Sequence, residues 1–390
     1  MVFSKKKLAF DLGRCCQCGC CLAACERGAL EELLNPDGLW VIQWKEELCD
    51  FCGRCVSVCP ASVLPSEPLR EEDWLTAQGS FLIYAKNTEV RRMASSGGVA
   101  RTLLAGLVNK GYVDTGYTLR KSTIYPWAEG SFWYAPVDLS AMPNSIYLPI
   151  LAYKNFKMDK PLHSIFLIGT ACQLRAAEQL IKKKAEKVIK VALYCKQQKT
   201  LGFARFLAKR LGVELDLEKF TPISFRGNGW PGQVNIEHKT MAYEVIAALP
   251  FGKRLWRVPG CRFCMNPAGV NVDLTLADPW EIEGHDSLGK TLVLAWTQEG
   301  LRTISENEDL LSVEPVNLSA AMKSMGWSNV KRRQKLVDFY LGRDVGLRAT
   351  ISGKGEQLQT KVLERLLSHY KLPDFLYKVL AHLPDMGNIL

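Results

Sequence analysis

Eight cysteines near the amino terminus constrain this chain more than any other feature. Cys15, Cys18, Cys21 and Cys25 are spaced C-x2-C-x2-C-x3-C, and Cys49, Cys52, Cys55 and Cys59 repeat that spacing with every member displaced by 34 residues. Zinc modules usually group their ligands as two separated pairs, whereas a run of four cysteines repeated once is an iron-sulfur signature. In the bacterial two-cluster pattern the fourth cysteine of each run ligates the other cluster. Cys15, Cys18, Cys21 and Cys59 are therefore expected to hold one [4Fe-4S] cluster, and Cys49, Cys52, Cys55 and Cys25 the other. The second run ends in Cys59-Pro60, while the first has Glu26 where proline is usual, a change that leaves the ligands intact. Cys16 and Cys20 fall outside the pattern and are read as thiols packed beside the cluster. Between the runs, NPDG at 35–38 supplies a turn before the alternating stretch LWVIQW, as in a small βαβ-type repeat. A ferredoxin domain is expected to close near Pro65 to Pro68, where SEPLREED reads as a linker.

The rest of the chain is long enough to bury a substantial core in further domains: it has 390 residues, 47% of them hydrophobic and 23% charged. No apolar run approaches the roughly 18 residues of a membrane span, and MVFSKKKLAF lacks the apolar core of a secretory signal. A cytoplasmic location is expected. Fourteen cysteines with C-x-x-C clustering in an unexported chain point to metal or redox chemistry rather than disulfides. The formal charge of +10 is uneven: residues 154–210 hold 14 Lys and Arg against Asp159, Glu178 and Glu186, a local net of +11. A solvated helix face accounts for the run Lys182-Lys183-Lys184. So lopsided a segment also suits steering of an acidic partner such as a ferredoxin, a dinucleotide or a polyglutamyl coenzyme. Nucleic acid ranks well below these, because no zinc-finger or single-strand-binding pattern accompanies the charge. No GxGxxG, Ser-His-Asp order or HExxH occurs, and five histidines are few for acid-base work, so hydrolysis is disfavoured and no residue is assigned a catalytic role.

Ser95, Ser96, Gly97 and Gly98 directly precede VARTLLAGLVNKGYVD, in which Val99, Leu103, Leu104, Leu107 and Val108 share a helical face that Gly111 ends. A Ser/Gly turn opening a helix presents N–H groups to phosphate, and the same turn serves equally as a plain N-cap. SIFLIGT leads into ACQLRAAEQLIKKK, and VIKVALYC into TLGFARFLAKRLG. Two successive strand-helix units imply parallel strands. Cys172 and Cys195 each fall just past the carboxyl end of a strand, where ligands gather in open α/β sheets. With Cys261 and Cys264 of CRFC they are the four cysteines remaining. Spacing alone leaves two readings open: a further cluster set, or two buried thiols and a separate zinc-type knuckle.

The motifs SSGGVARTLLAGLV, GTACQLRAAEQL, SFRGNGWPG, CRFCMNPAGVNVDLTLADPW and GKTLVLAWTQEG follow in order between about Asn87 and Arg302. In this the chain resembles the beta-subunit family of coenzyme F420-reducing hydrogenases and dehydrogenases. Ferredoxin-dependent hydroxymethyl chlorophyll reductase and the electron-input half of a deazaflavin-dependent sulfite reductase are relatives of that family, and a fused two-cluster ferredoxin head is common among its relatives. The resemblance implies FAD and a [4Fe-4S] cluster in the large domain. It sets Ser95 to Gly98 beside the flavin and gives Cys172, Cys195, Cys261 and Cys264 to the domain's own cluster. Ala171 departs from the usual GTPCQ, Lys196 stands where His-Gly commonly follows Cys195, and the chain is brief between Gly116 and Tyr147, in a substrate-facing part. Arg226 and Trp230 of FRGNGWPG are candidates for holding an anionic cofactor by charge and stacking, or else they brace a Gly-rich loop. Asp278 either orders the cluster or flavin pocket or caps a turn before Pro279.

A mixed α/β fold (α/β with α+β character) is thus expected in three parts. Residues 1–66 form a bacterial-type two-[4Fe-4S] ferredoxin domain, 67–305 a larger α/β domain binding FAD and a cluster, and 306–390 a helical region. In the last, Phe375, Leu376, Val379, Leu380 and Leu383 make an amphipathic stripe for core packing or partner docking. The expected function is an iron-sulfur flavoprotein oxidoreductase. It passes electrons between clusters, FAD and a two-electron carrier, with F420 ahead of NAD(P) or a reduced organic substrate, since a flavin exchanges one electron or two. The alternatives are a relay subunit with no substrate of its own and a ferredoxin-dependent reductase of an organic substrate. Expected partners are other redox subunits or a ferredoxin, and an acidic carrier.

Overall fold

The computed structural model describes residues 13–62, 68–182, 184–219, 221, 223–284 and 286–388. In the amino-terminal head, Gly19 (φ +83°) precedes α1 (Cys20–Ala24) and Gly53 (φ +73°) precedes α2 (Arg54–Ser57), so each cysteine run turns left-handed before its helix. Between the runs, β1 (Leu30–Leu34) and β2 (Trp40–Trp44) pair with Leu30 opposite Trp44. The Asn35 side chain closes the turn by accepting from the Asp37 and Leu39 N–H groups. This antiparallel hairpin replaces the expected βαβ-type repeat, because five connecting residues are too few for a parallel crossover, which takes a dozen or more.

The expected linker lies partly outside the described residues, at Pro65, Ser66 and Glu67. Its remainder is structured: α3 (Glu71–Leu75) buries Trp74 completely against Trp296 and Trp327. The chain then runs through β3 (Gly79–Ala85), α4 (Thr88–Met93), α5 (Val99–Asn109), β4 (Thr115–Lys121) and β5 (Ala128–Trp133). It continues as β6 (Leu162–Thr170), α6 (Ala171–Ile181), β7 (Ala185–Leu193) and α7 (Leu201–Leu211). A small antiparallel sheet of β8 (Ile223–Ser224), β9 (Gln233–Ile236) and β10 (Lys239–Ala242) leads to α8 (Tyr243–Gly252). After β11 (Leu274–Ala277), β12 (Thr291–Ala295), α9 (Gln298–Ser305) and β13 (Leu311–Pro315) come α10 (Leu318–Ser324), α11 (Trp327–Tyr340), α12 (Gly346–His369) and α13 (Asp374–His382).

Eight strands make one sheet in the order β13-β3-β12-β11-β7-β6-β4-β5. The central β4, β6, β7 and β11 are mutually parallel, and the flanking strands are antiparallel to their neighbours. The two strand-helix units are present as read, with Leu162 opposite Ala185 and Thr170 opposite Leu193. Central strands covered on both faces need no polar side, and β12, TLVLA, is buried at every residue. β13 pairs with β3 although it follows residue 305, so the sheet continues past the boundary drawn from sequence.

The terminal helices pack on α7 and α8. Glu356 reaches Arg257 at 2.6 Å and Arg254 at 2.9 Å, and Arg210 reaches Asp374 at 2.8 Å. The α13 stripe divides: Tyr377 anchors the helix with Leu376 and Leu380 half-buried, while Phe375, Val379 and Leu383 are exposed. Among the described residues no helix is long and apolar enough to cross a membrane.

Candidate iron-sulfur and cofactor sites

Local turns bring the thiols together in three sets. Cys15, Cys18, Cys21 and Cys59 lie near enough to repel one another as thiolates. Burial, reinforced by Cys18, pushes the Cys15 thiol up to about 12, and burial and Cys18 push Cys59 to about 11. Cys21, pushed up by burial, is raised further by Cys18, Cys15 and Cys59. A second set surrounds Cys55, which burial raises and to which Cys25, Cys49 and Cys52 add. The structure thus brings the fourth cysteine of each run to the other run's first three. N–H groups point at several of these sulfurs: Gln17 N and Nε2 at Cys15 Sγ (both 3.4 Å), Ala29 N at Cys25 Sγ (3.3 Å) and Phe51 N at Cys49 Sγ (3.4 Å). Such donors favour thiolate and suit sulfurs carrying a cluster.

The third set answers where the partners of CRFC lie. Cys172 opens α6 just past β6, Cys195 follows β7, and Cys261 and Cys264 sit at the helical turn Pro259–Phe263. All four line one cavity of about 300 Å³. Burial raises Cys261 to about 11 despite the Gln198 N–H at 3.3 Å, and it raises Cys195, with Cys261, Cys172 and Cys264 adding to the effect. Among the described residues no three His, Cys, Asp or Glu are disposed to hold a single metal ion. A four-iron cluster, whose ligands bind separate irons, does not need them to be. Four thiols, inward N–H donors and a cavity fit such a group.

The two cysteines outside the pattern pack against the first set. Cys16 lies beside Cys172 and Cys18, a proximity that raises its own thiol and lowers both of theirs, and Cys20 lies beside Cys18. Cys16 also lines the third cavity, so it spans the first and third sets. The head is fastened at this junction by Tyr153 N–H to Cys18 O (2.9 Å) and by Arg175 Nη2 to Pro60 O (3.3 Å).

A second cavity, of about 360 Å³, opens along the carboxyl edge of β4, β6, β7 and β11. Thr170, Cys195, Lys196, Gln197 and Gln198 line both cavities, so the third thiol set and the larger space share a wall. Ser95, Ser96 and Gly98 line it at the start of α5, an end that favours anions. Ser95 Oγ is tied to Ser145 Oγ (2.8 Å) and Ser96 Oγ to Thr291 Oγ1 (3.0 Å). Gly97 faces away from the space. A Cβ there would lie 2.5 Å from Ile83 O and 2.7 Å from Thr291 N, so its glycine serves the sheet beneath.

Arg226 is 1% exposed. It pairs with Asp278, donates to Ser95 O (2.8 Å) and Pro231 O (3.1 Å), and lies over the Tyr243 ring. Burial would discharge it, and Asp278 keeps the guanidinium charged. Arg226 and Asp278 line the cavity while bracing its wall, whereas Trp230 lies outside it, packed on Trp280 at 4.8 Å, and Trp280 is the indole on the wall.

Sequence reasoning missed Tyr147, Tyr153, Tyr243 and Arg101, all on the wall. Arg101 holds the 139–144 loop through Met142 O, Pro143 O and Asn144 Oδ1. No periodicity marks that loop. Tyr153 Oη and Gln197 Oε1 are buried without a hydrogen-bond partner among the described residues, and both residues line the cavity. Orphaned polar atoms on a wall that mixes aromatic rings with charged and polar side chains fit a planar ligand edged with nitrogen and oxygen, as a flavin is.

These thiol sets on an α/β scaffold define an iron-sulfur protein of the electron-transfer class. Residues 162–318 match the model for the carboxyl-terminal part of the family "Coenzyme F420 hydrogenase/dehydrogenase, beta subunit", and residues 42–64 match the 4Fe-4S binding domain. Over residues 162–318 the chain is thus similar to that beta-subunit family, with a match to a 4Fe-4S binding domain at its head. An uncharacterized protein of Methanocaldococcus jannaschii is 26% identical over 362 residues, covering 79% of this chain and 94% of its own length. The ferredoxin-type protein NapF of Escherichia coli is 28% identical over 85 residues, 22% of this chain and 51% of NapF. A chain of the F420-reducing [NiFe] hydrogenase complex of Methanosarcina barkeri superimposes with a TM-score of 0.48 at 13% identity, over 69% of this chain and 96% of that one.

Proposed function

We propose that this chain is an iron-sulfur flavoprotein oxidoreductase in which the three thiol sets hold [4Fe-4S] clusters and the 360 Å³ cavity holds FAD. It would exchange electrons with a two-electron carrier, coenzyme F420 first among the candidates. The observation that supports this most is the shared wall: Cys195 belongs to the third set and lines the larger cavity as well. A flavin bound there would supply the conversion between one-electron and two-electron chemistry. The chain's own residues bind and orient. The α5 start and Lys196 offer positive potential to an anionic cofactor, Tyr153 Oη and Gln197 Oε1 offer hydrogen bonds, and the Arg226–Asp278 pair fixes Ser95 in place. Other redox subunits are the proposed partners, and a reducing cytoplasm suits fourteen free thiols.

Anaerobic purification with iron and flavin analysis tests the reading. About twelve irons and one FAD per chain are expected, falling to about eight irons in the Cys261→Ser, Cys264→Ser double variant. A wild-type value near eight, unmoved by that variant, refutes the third cluster, and absence of flavin after reconstitution refutes FAD. Turnover of F420 by the isolated holoprotein supports an enzyme with its own carrier site. Its failure, with every other soluble carrier failing too, assigns a relay subunit.

A further inference from the structure

α11 begins beyond residue 318, where the family match ends, and it packs on the Pro259–Phe263 turn that carries Cys261. Phe263, Met265 and Val337 form a small apolar cluster there, with Tyr340 packed against it. Gln334 ties the helix to Leu69 O (2.8 Å) and Met265 O (3.2 Å). One turn face of this helix carries Arg333, half-buried. Its Nη2 donates to Cys261 O at 2.9 Å and its Nη1 donates to Lys196 O. Those two carbonyls belong to separate loops, one supplying Cys195 and the other Cys261 and Cys264. The planar guanidinium, with its donors fixed in a fork, reaches both at once.

Carbonyls satisfy the donors of Arg333 without cancelling its charge, and among the described residues it forms no ion pair. At the second thiol set the cations are spent differently. Arg27 pairs with Asp50 at 3.2 Å and Arg54 pairs with Glu26, while Cys52 is exposed to screening solvent. An unneutralised charge in partly desolvated surroundings acts more strongly than a paired, hydrated one. Reduction adds negative charge to a cluster, so a cation beside it stabilises the reduced form, and net charge and exposure are among the factors that set cluster potentials.

We propose that Arg333 is a positioning residue for the third thiol set. It holds the Cys195 and Cys261 loops together and makes a cluster bound there easier to reduce than it would be without that charge. This rests on the iron-sulfur reading of that set. The test is an EPR-monitored redox titration of the reconstituted full chain as wild type, Arg333→Gln and Arg333→Lys. The third cluster is identified as the signal that disappears in the Cys261→Ser, Cys264→Ser variant. Arg333→Gln is expected to lower its reduction equilibrium constant roughly tenfold, about 59 mV for one electron, leaving the head clusters unmoved. Arg333→Lys should restore most of the shift. An unchanged potential in Arg333→Gln overturns the proposal while leaving the third cluster in place. Loss of the third cluster from both variants overturns the electrostatic role, because lysine keeps the charge. Absence of a third cluster from the wild type overturns the underlying reading instead.

Discussion

Replacing Gly260 by alanine should pry the ferredoxin head from the large domain at the point where the first and third thiol sets approach. A Cβ at Gly260 would stand 2.4 Å from Cys15 O, 2.5 Å from Arg14 O and 2.6 Å from the Cys15 carbonyl carbon, against 3.4 Å for ordinary contact. The two loops must therefore part by about 1 Å. Because the obstructing atoms are backbone, they cannot swing aside as a side-chain tip would, and their loop is pinned by the Tyr153 N–H bond to Cys18 O. Overpacking of this kind costs about 1–3 kcal/mol, or roughly a 5- to 150-fold rise in the displaced population. Hydrogen exchange over residues 14–19 and 258–264, with a thermal melt, reads the effect directly. Gly252→Ala is the control: nothing lies within 4 Å of a Cβ there, so it should be neutral or slightly stabilising. Wild-type exchange and melting in Gly260→Ala would refute the argument, since the wedge would then have been absorbed without parting the loops.

Gly97→Val should lower the melting temperature as well as flavin content, because its side chain meets Ile83 O and Thr291 N in the sheet; flavin loss at an unchanged melting temperature would assign Gly97 to the ligand instead. Glu356→Gln should cost about 3–5 kcal/mol in urea unfolding at neutral pH, the scale for a buried pair losing one partner. Burial opposes ionisation of Glu356, but Arg257 and Arg254 outweigh it and hold the carboxyl below its ordinary 4.5. Its stabilisation is therefore complete above the unfolded value and lost as pH falls through the lower folded one, and the Gln variant should lack that acid limb. Lys182→Glu with Lys184→Glu should slow electron exchange with an acidic partner at low salt and flatten its salt dependence. Stopped-flow rates over a salt series check it, and identical curves for both proteins would leave these lysines a solvated turn.

The two cysteine runs and the two strand-helix units were legible because their information is local: ligand spacing in one case, apolar periodicity in the other. The convergence of Cys172 and Cys195 with CRFC was only half legible. The strand ends placed the first pair, but nothing in the 66 residues from Cys195 to Cys261 says that the chain returns to the same edge, as β11 makes it do beside β7. The larger cavity was the least visible. Its tyrosines are Tyr117 on β4, Tyr147 and Tyr153 in an irregular stretch, Tyr194 just past β7 and Tyr243 opening α8, so no window of sequence contains them together. FRGNGWPG drew attention to Trp230, while the indole on the cavity wall belongs to Trp280, whose neighbour in space that tryptophan is. Arg333 carried no signal, since a basic residue on a basic amphipathic helix looks like a solvated face.

Charge misled for the same reason, because a sequence counts cations without saying where they point. The run at 182–184, of which Lys183 lies outside the described residues, sits at the amino edge of β7. β7, which spans about 26 Å at roughly 3.3 Å per residue, separates that run from Cys195 and the third thiol set. Lys184 instead lies near Glu26, next to Cys25 of the second set. Elsewhere in residues 154–210 the excess is consumed internally: Lys154 pairs with Glu32, Lys187 with Glu299, Lys190 with Glu178 and Arg210 with Asp374. Lys199 is fully buried, gives Nζ to Pro250 O and Leu255 O at 2.8 Å, and is pushed by burial toward neutrality. Arg175 and Lys196 line the third cavity, and Arg333 joins them from α11. What reads in sequence as one docking patch is thus partly cationic charge turned inward, where buried thiols gather and desolvation makes each cation count most. A partner steered by the lysines left on the surface would arrive at the head, where Cys52 is exposed.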